Sequence, residues 1–265
     1  MGFLTDLVGE LRLDLAAHPI DRSAAAAAAG DQPEPRDAVA ALASAAAADG
    51  VALIAEVKRA SPSAGAIAAQ ADPAGQARSY AAAGAAVVSV LTESMHFGGS
   101  LDDLRAVRDA VDVPLLRKDF LIHPDQVLAA RAAGADTVLL IAASLDDGAL
   151  AELLTAARDV GMEPLVESHT DEDLDRVLST DARIVGVNAR DLESLDVDVE
   201  AAVERVRRVP RDRIAVFESG IRTRDDVVRA VEAGASAILV GETLMRARDP
   251  LAAARALLGR KEPTA

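Results

Sequence analysis

The chain has 265 residues, contains neither cysteine nor tryptophan, and carries a formal net charge of −15. That length suits one large domain or two small ones, and the missing cysteines exclude disulfides, thiolate metal sites and a cysteine nucleophile. The acidic balance argues against a general nucleic-acid or anionic-membrane surface; a small anion would have to be held by a few local Lys or Arg residues and by backbone N–H groups.

The opening "MGFLTDLVGELRLDL" carries acids where a signal peptide would carry a basic region. It also misses the myristoylation pattern, with Asp6 where Ser or Thr is required. No window reaches the ~20 apolar residues that span a bilayer. The expectation is a soluble cytoplasmic protein, working as a monomer, with no nucleic-acid or membrane partner.

Residues 1 to about 20 are predicted helical, because Phe3, Leu7 and Leu11 recur at four-residue spacing. The following "DRSAAAAAAGDQPEPRD" favours helix by composition but offers nothing to bury and meets Gly30, Pro33 and Pro35. It is expected as a linker with a marginal helix. Residues 1–48 therefore read as an N-terminal helical extension and Ala-rich linker ahead of a domain at 49–265.

From Val51 a regular alternation sets in. Apolar runs rich in β-branched residues stand at Val51–Val57, Val87–Leu91, Val113–Leu116, Thr137–Ile141, Pro164–Val166, Ile184–Val187, Ile214–Phe217 and Ala237–Val240. Between them lie helical segments such as "LDDLRAVRDA", "PDQVLAARAA", "GALAELLTAARDV" and "RDDVVRAVEA". The runs do not alternate apolar with polar, which points to burial on both faces and a parallel sheet. "AAAGAAVVSV", "RAAGADTVLL" and "VEAGASAILV" echo one another, with Gly84, Gly134 and Gly234 as helix stops and Gly161 in the same part. Eight βα units predict a (β/α)8 TIM barrel with an N-terminal helical extension. The rival, a doubly wound open sheet, calls for a glycine fingerprint after its first strand, and "EVKRASPS" contains none.

In such a barrel the strand C-termini converge on one face, where the chemistry is done. Those ends carry Glu56 and Lys58, Thr92 and Glu93, Lys118 and Asp119, Glu167, Asn188 and Arg190, Glu218 and Ser219, and Gly241 and Glu242. Each of Glu93, Asp119 and Glu242 alone reads equally as a solvated charge or a salt bridge. Together the charges would perturb one another as active-site groups do. The loops after strands seven and eight are the usual phosphate cradle of this fold, with Gly220 and Gly241 allowing close backbone approach and Ser219 offering a hydroxyl.

"IAEVKRASPSAG", "SVLTE…FGGS", "PLLRKDFLIHPDQV", "LVESH", "GVNARDL", "ESGI" and "LVGETLM", in this order and spacing, resemble the indole-3-glycerol phosphate synthase family of tryptophan biosynthesis. The resemblance covers residues 51 to about 250. It implies an extension lying over the barrel mouth. It also implies decarboxylating, dehydrating closure of 1-(2-carboxyphenylamino)-1-deoxyribulose 5-phosphate to indole-3-glycerol phosphate, with no metal or organic cofactor. By the same resemblance Lys118 is the general acid and Glu167 the general base, while Glu56 and Asn188 orient a sugar hydroxyl and the lysine. Lys58, counted among the catalytic residues, and Ser61 fall where the family meets the substrate's carboxylate and phosphate, with Arg190 nearby in the substrate site. Glu218, Ser219, Gly220, Gly241 and Glu242 belong to the substrate site, the last four on the phosphate. Phe97 and Phe120 flank the aromatic ring. A lysine acid, with its reference pKa of roughly 10.4, is expected to be lowered by burial or a neighbouring cation. Asp125 and Ser168 depart from the family pattern. Two alternatives stand beside this reading. One is phosphoribosylanthranilate isomerase, which relies on a cysteine this chain lacks. The other is a catalytically silent barrel that binds a phosphorylated metabolite.

Overall fold

A computed structural model of the chain describes residues 2–68 and 70–260. The last five residues of the domain expected at 49–265 lie outside the described residues. Eight parallel strands close into a barrel: β1 Ala52–Val57, β2 Val87–Leu91, β3 Leu115–Lys118, β4 Thr137–Ile141, β5 Leu165–Ser168, β6 Ile184–Asn188, β7 Ile214–Glu218 and β8 Ala237–Val240. Each strand pairs with its sequence neighbours, and β8 closes the ring on β1. The helices Leu101–Arg108, Pro124–Ala132, Asp147–Asp159 and Arg224–Ala233 fall where the periodicity predicts them. Gly84, Gly134, Gly161 and Gly234 take left-handed φ at the predicted helix stops. Helix starts are fixed by short polar side chains: Asp72, Ser100, Asp146, Thr170, Asp198, Thr223 and Asp249 each accept a hydrogen bond from a backbone N–H in the first turn. Among the described residues no helix is long and apolar enough to cross a membrane.

Four strands run one or two residues past their apolar bodies. The ladder continues through Leu91↔Lys118, Ser168↔Val187 and Asn188↔Glu218. Backbone pairing is indifferent to side-chain polarity, so Lys118, Glu167, Asn188 and Glu218 sit on rigid strand rather than in loops.

Strand side chains alternate between the lumen and the helical shell. Ala52 and Ile54 belong to an inner apolar cluster; Leu53, Ala55 and Val57 belong to an outer one. In the same phase Leu116, Leu165, Ile184, Val216 and Leu239 point inward. Two residues on from these inward positions, or four from Ile184, come Glu56, Lys118, Glu167, Asn188, Glu218 and Gly241. Strand periodicity alone aims the five side chains into the upper lumen and faces the bare Gly241 backbone the same way.

The extension runs the length of the barrel. Helix α1 (Phe3–Ala17) meets the mouth: the Phe3 and Leu4 N–H groups donate to the Glu193 and Leu192 carbonyls, and Phe3 stacks edge-on against His96 at 5.3 Å. The alanine tract departs from its expected role as a linker. It forms helix α2 (Arg22–Gly30), capped by Asp21 and packed against helix Pro124–Ala132. What it buries is supplied by a helix about 100 residues later, and alanine allows the close approach. Arg22 pairs with Asp125 at 2.7 Å, so the departure at Asp125 is a docking contact. Gln32 donates to the Ala132 carbonyl, and Arg36 donates its N–H to Asp136 and its guanidinium to the Val111 and Val113 carbonyls. Helix α3 (Ala38–Asp49) then places Ala38 and Leu42 in the inner cluster with Ala52, Ile184 and Ile214, closing the N-terminal end of the barrel.

Candidate active site

The mouth holds a cavity of about 490 Å³. Every site residue put forward from sequence lines it: Glu56, Lys58, Ser61, Phe97, Lys118, Phe120, Glu167, Asn188, Arg190, Glu218, Ser219, Gly220, Gly241 and Glu242. The floor is an ion-pair array. Lys118 Nζ donates to Glu167 Oε2 at 2.9 Å and lies 3.6 Å from Glu218 Oε2. Asn188 Nδ2 donates to Glu167 Oε1 at 3.0 Å. Lys58 Nζ lies 3.1 Å from Glu56 Oε1, so Glu56 is paired with Lys58 while Asn188 is bonded to Glu167. Glycine at 241 leaves room for this arrangement: a Cβ there would lie 2.4 Å from Glu56 Oε1 and displace that carboxylate.

One wall is aromatic and the opposite rim is backbone. The Phe97 and Phe120 rings face each other at 6.1 Å, tilted by 37°. Glu93 shapes that wall by accepting the N–H groups of Met95, His96 and Phe97 at 2.7–3.0 Å. Across the cavity Ser219 (φ 65°) and Gly220 (φ 78°) make two successive left-handed residues after β7. A non-glycine residue in that region is strained, and Ser219 is held there by donating its hydroxyl to Asn188 Oδ1 at 2.7 Å. The hydroxyl expected to face a ligand is therefore committed to Asn188. Arg190 likewise spends one guanidinium nitrogen on the Leu195 carbonyl at 2.6 Å. Asp119 is a buried salt bridge, 2.7 Å from Arg117 and 2.6 Å from Thr92 Oγ1.

The chain matches the family described as Indole-3-glycerol phosphate synthase over residues 5–257. It is 50% identical to the indole-3-glycerol phosphate synthase of Nocardioides sp. over 98% of this chain and 99% of that one. With the synthases of Mycobacterium avium and Streptomyces griseus it shares 48% and 47%, over 94% and 96% of this chain and 91% and 93% of theirs. The chain belongs to the indole-3-glycerol phosphate synthase family. A crystal structure of 3-hexulose-6-phosphate synthase superposes with a TM-score of 0.61 over 79% of this chain and 99% of that one. At 22% identity it speaks for the barrel alone.

The charges on the cavity floor shift one another. Burial disfavours the Lys118 ammonium, but attraction to Glu167, then to Glu218 and Glu56, outweighs it and pushes the lysine above its usual range. The expectation of a lowered lysine is thus reversed, because carboxylates surround it where a cation would be needed. Burial also resists ionisation of Glu167. The Lys118 charge, with His169 alongside, overcomes this and holds the carboxyl well below the usual carboxylate range. Glu218 goes the other way: burial first, then the Glu167 charge, push it well above that range.

Three further residues join the site. His169, two positions past Glu167 and so in the same strand phase, is buried with Nε2 3.0 Å from Glu167 Oε1. Arg222 and Arg246 line the cavity beside the Gly220 and Glu242 turns, Arg246 pairing with Glu242 at 2.9 Å. Their signal was spacing: Arg222 follows "ESGI", and Arg246 stands one helical turn after Glu242.

Proposed function

We propose that the chain closes the indole ring of 1-(2-carboxyphenylamino)-1-deoxyribulose 5-phosphate, giving indole-3-glycerol phosphate, carbon dioxide and water, with Lys118 as acid and Glu167 as base. The observation that carries this reading is the 2.9 Å contact between Lys118 Nζ and Glu167 Oε2 at the floor of one cavity. An ammonium there stabilises charge as it builds on the ketone oxygen under attack by the ring carbon. Proton delivery by such a group contributes about 10²- to 10⁴-fold. A substrate that docks between the two groups takes over the ammonium and frees the carboxylate to remove a proton later.

The remaining roles follow from position. Phe97 and Phe120 offer apolar faces to the aniline ring. The backbone N–H groups at Gly220, Gly241 and Glu242, with Arg222 and Arg246 nearby, suit the phosphate. Lys58, held by Glu56, and Arg190 suit the substrate carboxylate. Ser61 accepts the Ala64 N–H at 3.2 Å and so shapes the loop that carries Lys58. A cysteine-free sequence suits the reducing cytoplasm.

Incubation with the ketose phosphate, read by indole fluorescence, tests the reading. Formation of indole-3-glycerol phosphate is expected. Tight binding without turnover would favour a silent metabolite-binding barrel.

A further inference from the structure

Ring closure as proposed above delivers two protons to one atom, and the inference here rests on that reading. The ketone oxygen takes the first proton as the new carbon–carbon bond forms. After carbon dioxide leaves, the resulting hydroxyl takes the second and departs as water. One proton returns when the neighbouring carbon loses its hydrogen, so each cycle draws one net proton from solvent. A single ammonium facing that oxygen has to be reloaded before the cycle ends.

Three carboxyl groups and two ammonium groups share the cavity floor, with His169 behind Glu167. Glu56 pairs with Lys58, and Glu167 pairs with Lys118 and with the Asn188 amide. Glu218 is the one left over. It is 1% exposed, its Oε1 has no hydrogen-bond partner among the described residues, and its Oε2 stands 3.6 Å from Lys118 Nζ, beyond a hydrogen bond. Its place exists because residue 186 is glycine: a Cβ there would lie 2.4 Å from Glu218 Oε1. A buried carboxyl with no donor on one oxygen, beside an ionised neighbour, holds a proton rather than a charge. With Glu218 neutral, the two remaining carboxylates balance the two ammonium groups.

We propose that Glu218 rests as a neutral carboxylic acid and stores the second proton, passing it to Lys118 once Lys118 has protonated the ketone oxygen. In the first step an Nζ–H bond breaks, an O–H bond forms on the former ketone, and Lys118 becomes a neutral amine. The Glu218 O–H then breaks and Nζ–H is remade, leaving Glu218 as carboxylate. Lys118 gives this proton to the hydroxyl, whose carbon–oxygen bond breaks with its electron pair leaving in water. Glu167 takes the proton from the neighbouring carbon, whose electron pair becomes the ring double bond, and returns it to Lys118. Solvent reprotonates Glu218. The sum is one proton in, carbon dioxide and water out. Glu218 acts through Lys118 and positions a proton; it need not touch the substrate.

Glu218→Gln keeps the shape and the neutral charge of the resting group but removes its acidic proton. Single-turnover experiments on the wild-type chain and this variant separate the two proton deliveries, following carbon dioxide release and indole fluorescence in parallel. In the variant, carbon dioxide release is expected within a few-fold of wild type, while indole formation falls by about 10²-fold or more, the usual worth of a general acid. A hydroxylated, decarboxylated intermediate should accumulate. Equal slowing of both readouts, or slowing of neither, overturns the proposal. A wild-type chain that forms no indole would instead sink the ring-closure reading itself. Should the variant fail to fold, pH-difference infrared spectra of the wild-type chain decide. A protonated-carboxyl band that persists at neutral pH and is lost only on raising the pH supports the stored proton, and its absence at neutral pH overturns it.

Discussion

Asn188 joins the two ends of the site: its Nδ2 donates to Glu167 Oε1 at 3.0 Å while its Oδ1 accepts the Ser219 hydroxyl at 2.7 Å. Glu167, the proposed base, and the strained Ser219 turn, beside the proposed phosphate cradle, are thereby set by one amide. Asn188→Ala removes a hydrogen bond to a charged group, worth about 1.5–3 kcal/mol. Turnover is expected to drop by about 10- to 100-fold, with KM for the phosphorylated substrate rising as Ser219 loses its partner. Unchanged kinetics in this variant would remove Asn188 from the positioning role.

The raised Glu218 makes stability depend on pH in a defined direction. Its carboxyl binds a proton more tightly folded than unfolded, where it titrates near ~4.3. The stability this adds is full below that value and is lost as pH rises towards the raised folded pKa. Glu218→Gln escapes the loss. Its stability relative to wild type should climb with pH by up to about 1.4 kcal/mol per unit, starting in the acid range. Denaturant melts at a series of pH values measure it, and a pH-independent difference contradicts a neutral Glu218.

Gly220 takes a φ of 78°, and a Cβ there would meet Val199 Cγ2 at 2.7 Å. Gly220→Ala should displace the turn and weaken phosphate binding more than chemistry. KM rising at least several-fold with kcat nearly kept is the expected pattern, the mark of lost uniform binding. Isothermal titration with inorganic phosphate should show the same loss.

Leu42 on α3 is 1% exposed and belongs to the inner cluster beneath the barrel. Leu42→Ala should cost about 2–5 kcal/mol, as buried leucine truncations do. Arg22→Ala, which breaks a pair whose arginine is mostly exposed, should cost no more than about 1 kcal/mol. Urea unfolding compares the two, and equal losses would mean that α3 does not seal the barrel floor.

The strands were legible because burial on both faces demands uninterrupted β-branched runs, and their ends were legible because polarity switches there. Once the strand phase is known, Glu56, Lys118, Glu167, Asn188 and Glu218 converge by periodicity alone. Other features depend on partners far away in sequence. The tract at Arg22–Gly30 has no apolar periodicity, since alanine gives none, and only the helix at Pro124–Ala132 gives it something to pack on. The charge state of Lys118 depends on Glu167 and Glu218, which arrive from β5 and β7. Ser219 could be named for the cradle from its motif, but its bond to Asn188 appears only when β6 and β7 lie side by side.

The measurement that bears most directly on the account is single-turnover ring closure by Lys118→Ala, with folding checked by circular dichroism. The variant is expected to keep a native spectrum and substrate binding while forming indole about 10²- to 10⁴-fold more slowly. Indole formation within a few-fold of the wild-type rate would contradict the account, because no ammonium would then be needed where the ketone oxygen takes its protons.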